Sequence, residues 1–398
     1  MSPSISNRAA SVRSSAIRDL LARARTPGML SMAGGLPDPA SFPNALLAES
    51  ARAIFAGGAD ALQYGPSEGE NRLRDHISLI ELSRHGHVVD PASILITTGS
   101  QQALTMAATV LADPGDVIAV SHPCYLGALQ TFALTGLRAH PVLVHDGYLD
   151  LDRLEHDLRR GVRVKALYVV ANHGNPDGHR IGDAENQRLA AIADHWGIWI
   201  VEDDPYRELW FDTPPVLALA AHTQNVISLG SFSKTVAPGL RVGWLAASTV
   251  ALAALVRTKQ SSDLHTSSVS QALIVGLLDR PNWFAEHTEM LRAVYATRRD
   301  ALCSALTAEF GERIIFERPT GGMFAWARLE GIDTMALLDA AVAGGVCFVP
   351  GGEFESGGPS LDDWLRLSFA TLNESQLTEA VHRLAQTTSV AAPANCAL

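Results

Sequence analysis

Through most of the first 250 residues the chain alternates short runs that are apolar at nearly every position with longer stretches whose apolar residues recur every three or four. The runs are SILITT (93–98), DVIAVS (116–121), RAHPVLV (138–144), VKALYVV (164–170), IWIVEDD (198–204), NVISLG (225–230) and RVGWLAA (241–247). Between them, SQQALTMAATVLAD (100–113) and AENQRLAAIADHWG (184–197) carry the helical spacing. Strands without polar alternation are buried on both faces, so the pattern predicts a doubly wound, mainly parallel sheet of seven strands clothed by helices. Ligands of such sheets bind at the carboxyl ends of the strands.

The pattern differs on either side of this block. Residues 14–25, SSAIRDLLARAR, predict a short helix behind capping serines. GMLSMAGGLPDPASFP is too rich in Gly and Pro for one regular element and reads as an extended arm. After about residue 249 come long helices, PNWFAEHTEMLRAVYATRRDALCSAL (281–306) among them. GGMFAWARL, a helix near 333–343, VCFVPGG, WLRLSFA and a last helix after 373 then predict a smaller α+β unit. The expected organisation is a helix and arm over 1–43 that pack with the small domain and the active site, a large domain over 44–280 and a small one over 281–398. There is no internal repeat, low-complexity linker or helix-turn-helix extension.

Composition narrows the function classes. At 47% hydrophobic and 18% charged, the 398 residues describe an ordinary globular protein, and no apolar run approaches the roughly 20 residues of a membrane helix. The N-terminus lacks the apolar core of a signal peptide. A net charge of -11 argues against a nucleic-acid surface. The four cysteines, Cys124, Cys303, Cys347 and Cys396, lie far apart without ligand spacing, so neither disulfides nor zinc are expected and a reducing cytoplasm fits. The 14 histidines are scattered, HGH at 85–87 reads as a loop after a helix, and no metal is expected.

Three features fall at strand ends. In TTGSQQAL, Gly99, Ser100 and Gln101 open a helix whose backbone N–H groups and dipole suit a phosphate; read alone, Ser100 is a helix cap. In VEDDPY, Asp203 and Tyr206 could address a protonated ring nitrogen and a ring oxygen; read alone, the acids are a solvated turn. In SLGSFSKTVAPGLRVGW, Ser231, Ser233 and Arg241 make a phosphate cup beside Lys234. Only three of the 31 basic residues are lysines, Lys165, Lys234 and Lys259. A desolvated lysine near a cation has a lowered pKa and acts as an amine nucleophile, which an arginine never does. Together these features describe a pyridoxal phosphate site.

With SMAGGLPDPASFP, ALQYGPSEG, ITTGSQQAL, PCYLGAL, GNPDG, VEDDPY, GSFSKTVAPGLRVGW, KQSSDLHT, GGMFAW, FVPGG and LRLSFATL in that order, the chain from about 14 to 385 resembles a fold-type-I pyridoxal-phosphate-dependent class I/II aminotransferase. It is most similar to the kynurenine/2-aminoadipate group, and the implied fold is aspartate-aminotransferase-like. The resemblance implies that Lys234 forms the Schiff base with the cofactor and then shuttles the substrate Cα proton. Asp203 would hold the pyridine nitrogen protonated, Asn175 and Tyr206 would bind the ring hydroxyl, and Tyr125 would stack on the ring. Ser100, Gln101, Ser231, Ser233 and Arg241 would bind the phosphate, with Tyr64 reaching it from the other subunit of a homodimer. Arg366 would clamp the substrate carboxylate, Gly34 and Gly35 would belong to the arm closing over it, and Arg18 would read a distal carboxylate. The alternative reading of the tyrosines is as packed aromatics, and Arg18 reads equally as part of a solvated basic helix.

One loop departs from the family's usual FQNPTG. Here it reads HGNPDG, preceded by Ala171 where proline is usual, with Asn175, Pro176 and Gly178 kept and an acid, Asp177, brought near the site. The implied activity is transamination between an L-amino acid and a 2-oxo acid, ping-pong through pyridoxamine phosphate, with glutamate/2-oxoglutarate as a pair and breadth toward 2-aminoadipate, aromatic and branched substrates. The competing expectations are a β-lyase, decarboxylase or oxidase on the same cofactor, or a catalytically silent ligand-sensing domain. A nucleotide-binding dehydrogenase is disfavoured because no GxGxxG follows the first strand.

Overall fold

The computed structural model describes residues 5–11, 26–145 and 147–391. Arg18 and the expected helix over 14–25 lie outside the described residues.

All seven expected strands form and join one sheet, with a two-residue strand, Tyr148–Leu149, added at its edge. The order across the sheet is Ile94–Thr97, Gly243–Ala247, Val226–Ser231, Trp199–Asp203, Val164–Val170, Val117–His122, Arg138–His145, Tyr148–Leu149. The pairings from Val226–Ser231 through Arg138–His145 are parallel, whereas Gly243–Ala247 runs antiparallel to both of its neighbours. Burial explains the unbroken apolar runs: Ile94–Thr97, Val226–Ser231 and Gly243–Ala247 are buried at every residue. Strand Val164–Val170 sends Ala166 and Tyr168 into the core on one face, beside Leu104 and Phe132, and Leu167 and Val169 into the core on the other, beside Leu154 and Leu189. Each face thus removes apolar surface from water, the main stabilising term of such a sheet.

Helix starts follow ordinary capping. Asp150 Oδ1 accepts from the Arg153 N–H (2.9 Å) at the head of Leu151–Arg159, and the Asp333 carboxylate caps Thr334–Ala343 in the same way. Helix Asn71–His85 stops at Gly86, so the HGH segment expected to be a loop begins with a helical residue, His85, and only Gly86 and His87 lie outside the helix.

A second sheet, antiparallel, orders Ile314–Phe316, Phe324–Leu329, Trp364–Ser368 and Val349–Pro350. It packs on the 28-residue helix Trp283–Phe310 and on Glu374–Ala391. The Gly/Pro-rich arm runs along this unit: Leu30–Ser31 pairs in parallel with Val346–Cys347, Met32 is buried in its core, and the Ser368 N–H donates to the Met32 carbonyl (2.7 Å). The arm then crosses toward the carboxyl end of the large sheet. Among the described residues no helix is long and apolar enough to cross a membrane, and no group of three His, Cys, Asp or Glu side chains is placed to hold a metal.

Candidate active site

The segments after four adjacent parallel strands converge. Tyr125 follows Val117–His122, Asn175 follows Val164–Val170, Asp203 ends Trp199–Asp203, and Lys234 follows Val226–Ser231. Burial pushes the Asp203 carboxyl up to about 7, against a hydrogen bond that holds it down: the Tyr168 hydroxyl donates to Oδ2 at 2.9 Å. The other oxygen, Oδ1, is buried and has no hydrogen-bond partner. A buried acceptor left open is costly unless something donates to it, and a protonated ring nitrogen is such a donor.

The Lys234 ammonium donates to the Gly35 carbonyl at 2.8 Å, so the arm and the lysine meet directly. Burial, and then the positive charges of Arg366 and Arg241, bring its pKa down to about 8. Three residues before it, Ser231 Oγ accepts from the Ser233 N–H (3.0 Å), which turns the chain at the strand end. Arg241 adopts φ 52 and donates through Nη2 to the Thr98 carbonyl (3.2 Å). This draws its guanidinium over Gly99. A Cβ at Gly99, whose φ is 75, would lie 2.3 Å from Arg241 Nη2, so only glycine admits the approach. Helix Ser100–Leu111 starts here, and Ser231 lies close to its N-terminus: it pairs with Gly243, where a Cβ would stand 2.8 Å from the Ser100 nitrogen. Gln101 is turned away along the surface, its amide donating to Thr131 Oγ1 (2.6 Å).

Arg366 is 1% exposed. Nη1 donates to Asn175 Oδ1 (2.7 Å), Nη2 to the Ala33 carbonyl (2.5 Å), and Nε has no partner. Its guanidinium lies over Phe324 at 4.2 Å and faces Phe354 at 5.2 Å, and burial pushes its pKa down to about 10. Among the described residues no carboxylate pairs with it. A desolvated cation bonded only to neutral acceptors is complementary to an incoming carboxylate. Tyr206 is buried edge-on to Phe324 (5.9 Å) and hydrogen-bonds Asn175. Burial, then the nearby Asp203, raise the Tyr125 phenol. Tyr64 stands apart: it is 78% exposed, its ring meeting the edge of His265 at 5.8 Å.

The residues that make the HGNPDG loop unusual go into its own shape. Asp177 Oδ1 accepts from the His179 N–H (3.1 Å) and folds back over Gly174, where a Cβ would lie 2.6 Å from it. The His173 ring lies on the backbone of Gly321, at 2.3 Å from where a Cβ would stand. Burial takes that imidazole down to about 3, so it is neutral.

The protein-family model for aminotransferase classes I and II matches residues 29–384. This chain belongs to that family. A 2-aminoadipate transaminase of Thermus thermophilus is 40% identical over 380 residues, covering 94% of this chain and 93% of that one. The structure of an α-aminoadipate aminotransferase from the same organism, complexed with N-(5′-phosphopyridoxyl)-L-leucine, superposes with a TM-score of 0.89 at 38% identity, covering 97% of both chains. A Pyrococcus horikoshii kynurenine aminotransferase gives 0.91 at 34% identity over 98% of both. The aminotransferase is a pyridoxal-phosphate enzyme of the aspartate-aminotransferase-like fold. The open Oδ1 of Asp203, the pKa-lowered amine and the glycine-floored cradle of Arg241 fit that cofactor.

Tyr168 went unrecognised in the sequence because an aromatic within the apolar run VKALYVV carries no polar signal. Tyr168→Phe removes the hydrogen bond that stabilises the ionised Asp203. The carboxyl of the apoenzyme is therefore expected to ionise at higher pH than about 7, and pyridoxal phosphate to bind about tenfold more weakly, the scale of a bond to a charged group. Titration of the apoenzyme by carboxylate infrared absorption and a cofactor binding isotherm check both.

Proposed function

We propose that this aminotransferase exchanges the amino group of an L-amino acid with a 2-oxo acid by a ping-pong sequence. Its substrates are of the 2-aminoadipate, aromatic and branched-chain kinds, with glutamate and 2-oxoglutarate as one pair. It works as a cytoplasmic homodimer built on a large domain over 44–280 and a small one over 281–398. The observation that carries the reading is the partially unsatisfied Arg366 guanidinium held in the same site as an amine whose pKa is lowered to about 8.

Bound pyridoxal phosphate supplies an aldehyde carbon for amines and a ring that takes up electron density from the substrate Cα. Lys234 gives the amine that holds the cofactor, and once free its Nζ accepts the Cα proton and returns it. Asp203 keeps the pyridine nitrogen protonated through Oδ1, while Asn175 and Tyr206 address the ring hydroxyl and Tyr125 covers the ring face. Ser100, Ser231, Ser233 and Arg241 grip the phosphate, Gln101 through its backbone N–H. Arg366 takes the α-carboxylate, and the arm at Gly35 excludes water above it. Arg18 is assigned to a distal carboxylate from its place in the sequence alone. Tyr64 serves the phosphate of a second copy; its exposure, with that of Phe55 (56%) and Leu62 (65%) nearby in the chain, supports a face that another subunit covers.

The test is stoichiometry. Incubated with one amino donor and no acceptor, the loaded enzyme is expected to release one equivalent of oxo acid per site and stop, resuming when a 2-oxo acid is added. A panel of donors ranks the substrates. Continued turnover without acceptor would instead mark a lyase, decarboxylase or oxidase.

A further inference from the structure

One of the three lysines is fully buried yet has no part in the chemistry above. Lys259, on helix Thr249–Ser262, is completely buried, while Lys165 is exposed. Its ammonium donates to Gln102 Oε1 (2.9 Å), Asp263 Oδ1 (3.0 Å) and Thr266 Oγ1 (3.1 Å). These are three acceptors for three protons. Gln102 Oε1 also accepts the Thr98 N–H (2.7 Å), and the Thr98 hydroxyl donates to Asp263 Oδ2 (2.8 Å). The Thr98 carbonyl in turn receives Arg241 Nη2 (3.2 Å), and Gly99 and Ser100, the floor and lip of the cradle, follow directly. The backbone and side chain of Thr98 are thus pinned from behind by groups that converge on Lys259, and from the front they hold the guanidinium.

We propose that Lys259 is a positioning residue for the phosphate cradle: through Gln102 and Asp263 it fixes the Thr98–Gly99–Ser100 turn at the spacing that a phosphate group needs. The inference rests on the phosphate reading of Ser100, Ser231, Ser233 and Arg241. Lysine suits the place because a compact ammonium can serve three convergent acceptors, whereas a planar guanidinium spreads its donors in a fork. The network also explains the motif KQSSDLHT, whose Lys259, Asp263 and Thr266 are its members. It continues outward: His265 hydrogen-bonds the Thr266 carbonyl (2.9 Å) and accepts the Gly65 N–H (3.4 Å) beside Tyr64.

The decisive measurement compares two ligands that differ only in the phosphate. Dissociation constants of pyridoxal phosphate and of pyridoxal are determined on apoenzyme of the wild type, Lys259→Met and Gln102→Leu. The wild type is expected to prefer the phosphorylated form strongly. Both variants are expected to lose about tenfold or more of that preference, the worth of a hydrogen bond to a charged group, with pyridoxal affinity unchanged. Retained preference in the variants overturns the proposal, and so does an equal loss for both ligands, which would mark a general structural role. Gln102→Leu leaves the Lys259–Asp263 pair intact and decides the matter if Lys259→Met does not fold. A wild type that binds pyridoxal as tightly as pyridoxal phosphate would be a failure of the cradle itself, distinct from a failure of Lys259 to support it.

Discussion

Lys234→Ala is expected to lower kcat by about 10⁴-fold or more, the scale seen when a catalytic nucleophile is removed, and to abolish the covalent link to the cofactor. The fold is expected to survive. Burial and the charges of Arg366 and Arg241 all disfavour the Lys234 ammonium, so near pH 7, where the wild-type group is protonated, its removal relieves repulsion. Thermal unfolding of the apoprotein should therefore occur at an equal or higher temperature than in the wild type. Kinetics and mass spectrometry after borohydride reduction check the first expectation, calorimetry the second. Full activity in the variant would remove Lys234 from the mechanism.

Asp203→Asn is expected to cost about 10³-fold in kcat/KM, about 4 kcal/mol of transition-state stabilisation. The amide matches the carboxylate in shape but cannot compensate a protonated pyridine nitrogen. A pH dependence follows from the same pair of groups. Below about 7 Asp203 carries a proton and loses its charge, and below about 8 Lys234 is an ammonium and loses its lone pair. Both deficits lie on the acid side. The rate at which apoenzyme captures pyridoxal phosphate should therefore rise through pH 7 to 8 and level off above, which stopped-flow absorbance would follow. In Asp203→Asn only the Lys234 step should remain.

Most of the seven expected strands of the large sheet were legible because burial on both faces forbids polar alternation, the partly exposed Arg138–His145 being the exception. Their mainly parallel arrangement was legible too, but its exception was not. Gly243–Ala247 is as apolar as its neighbours yet runs antiparallel to them, since hydrophobicity does not encode strand polarity. VCFVPGG holds two short strands, one pairing with the distant arm at Leu30–Ser31 and the other with nearby Trp364–Ser368; an apolar run does not reveal that division.

Within the site, Lys234, Asp203, Arg241 and Arg366 stood out because charged groups at strand ends or inside an apolar strand are chemically conspicuous. Tyr168 was hidden among apolar residues, and the Gly35 carbonyl, as backbone, carries no side-chain signal at all. The acid at Asp177 stood out as a departure near the site, and its Oδ1 accepts from the His179 N–H within its own loop.

The Gly35 carbonyl has a consequence for the arm. The nitrogen assigned to the aldehyde is the one that donates to the Gly35 carbonyl in the arm. As its lone pair goes to carbon, it cannot keep all the hydrogens of an ammonium. Bonding to the cofactor is therefore expected to loosen the contact between Lys234 and the arm, because one nitrogen serves both.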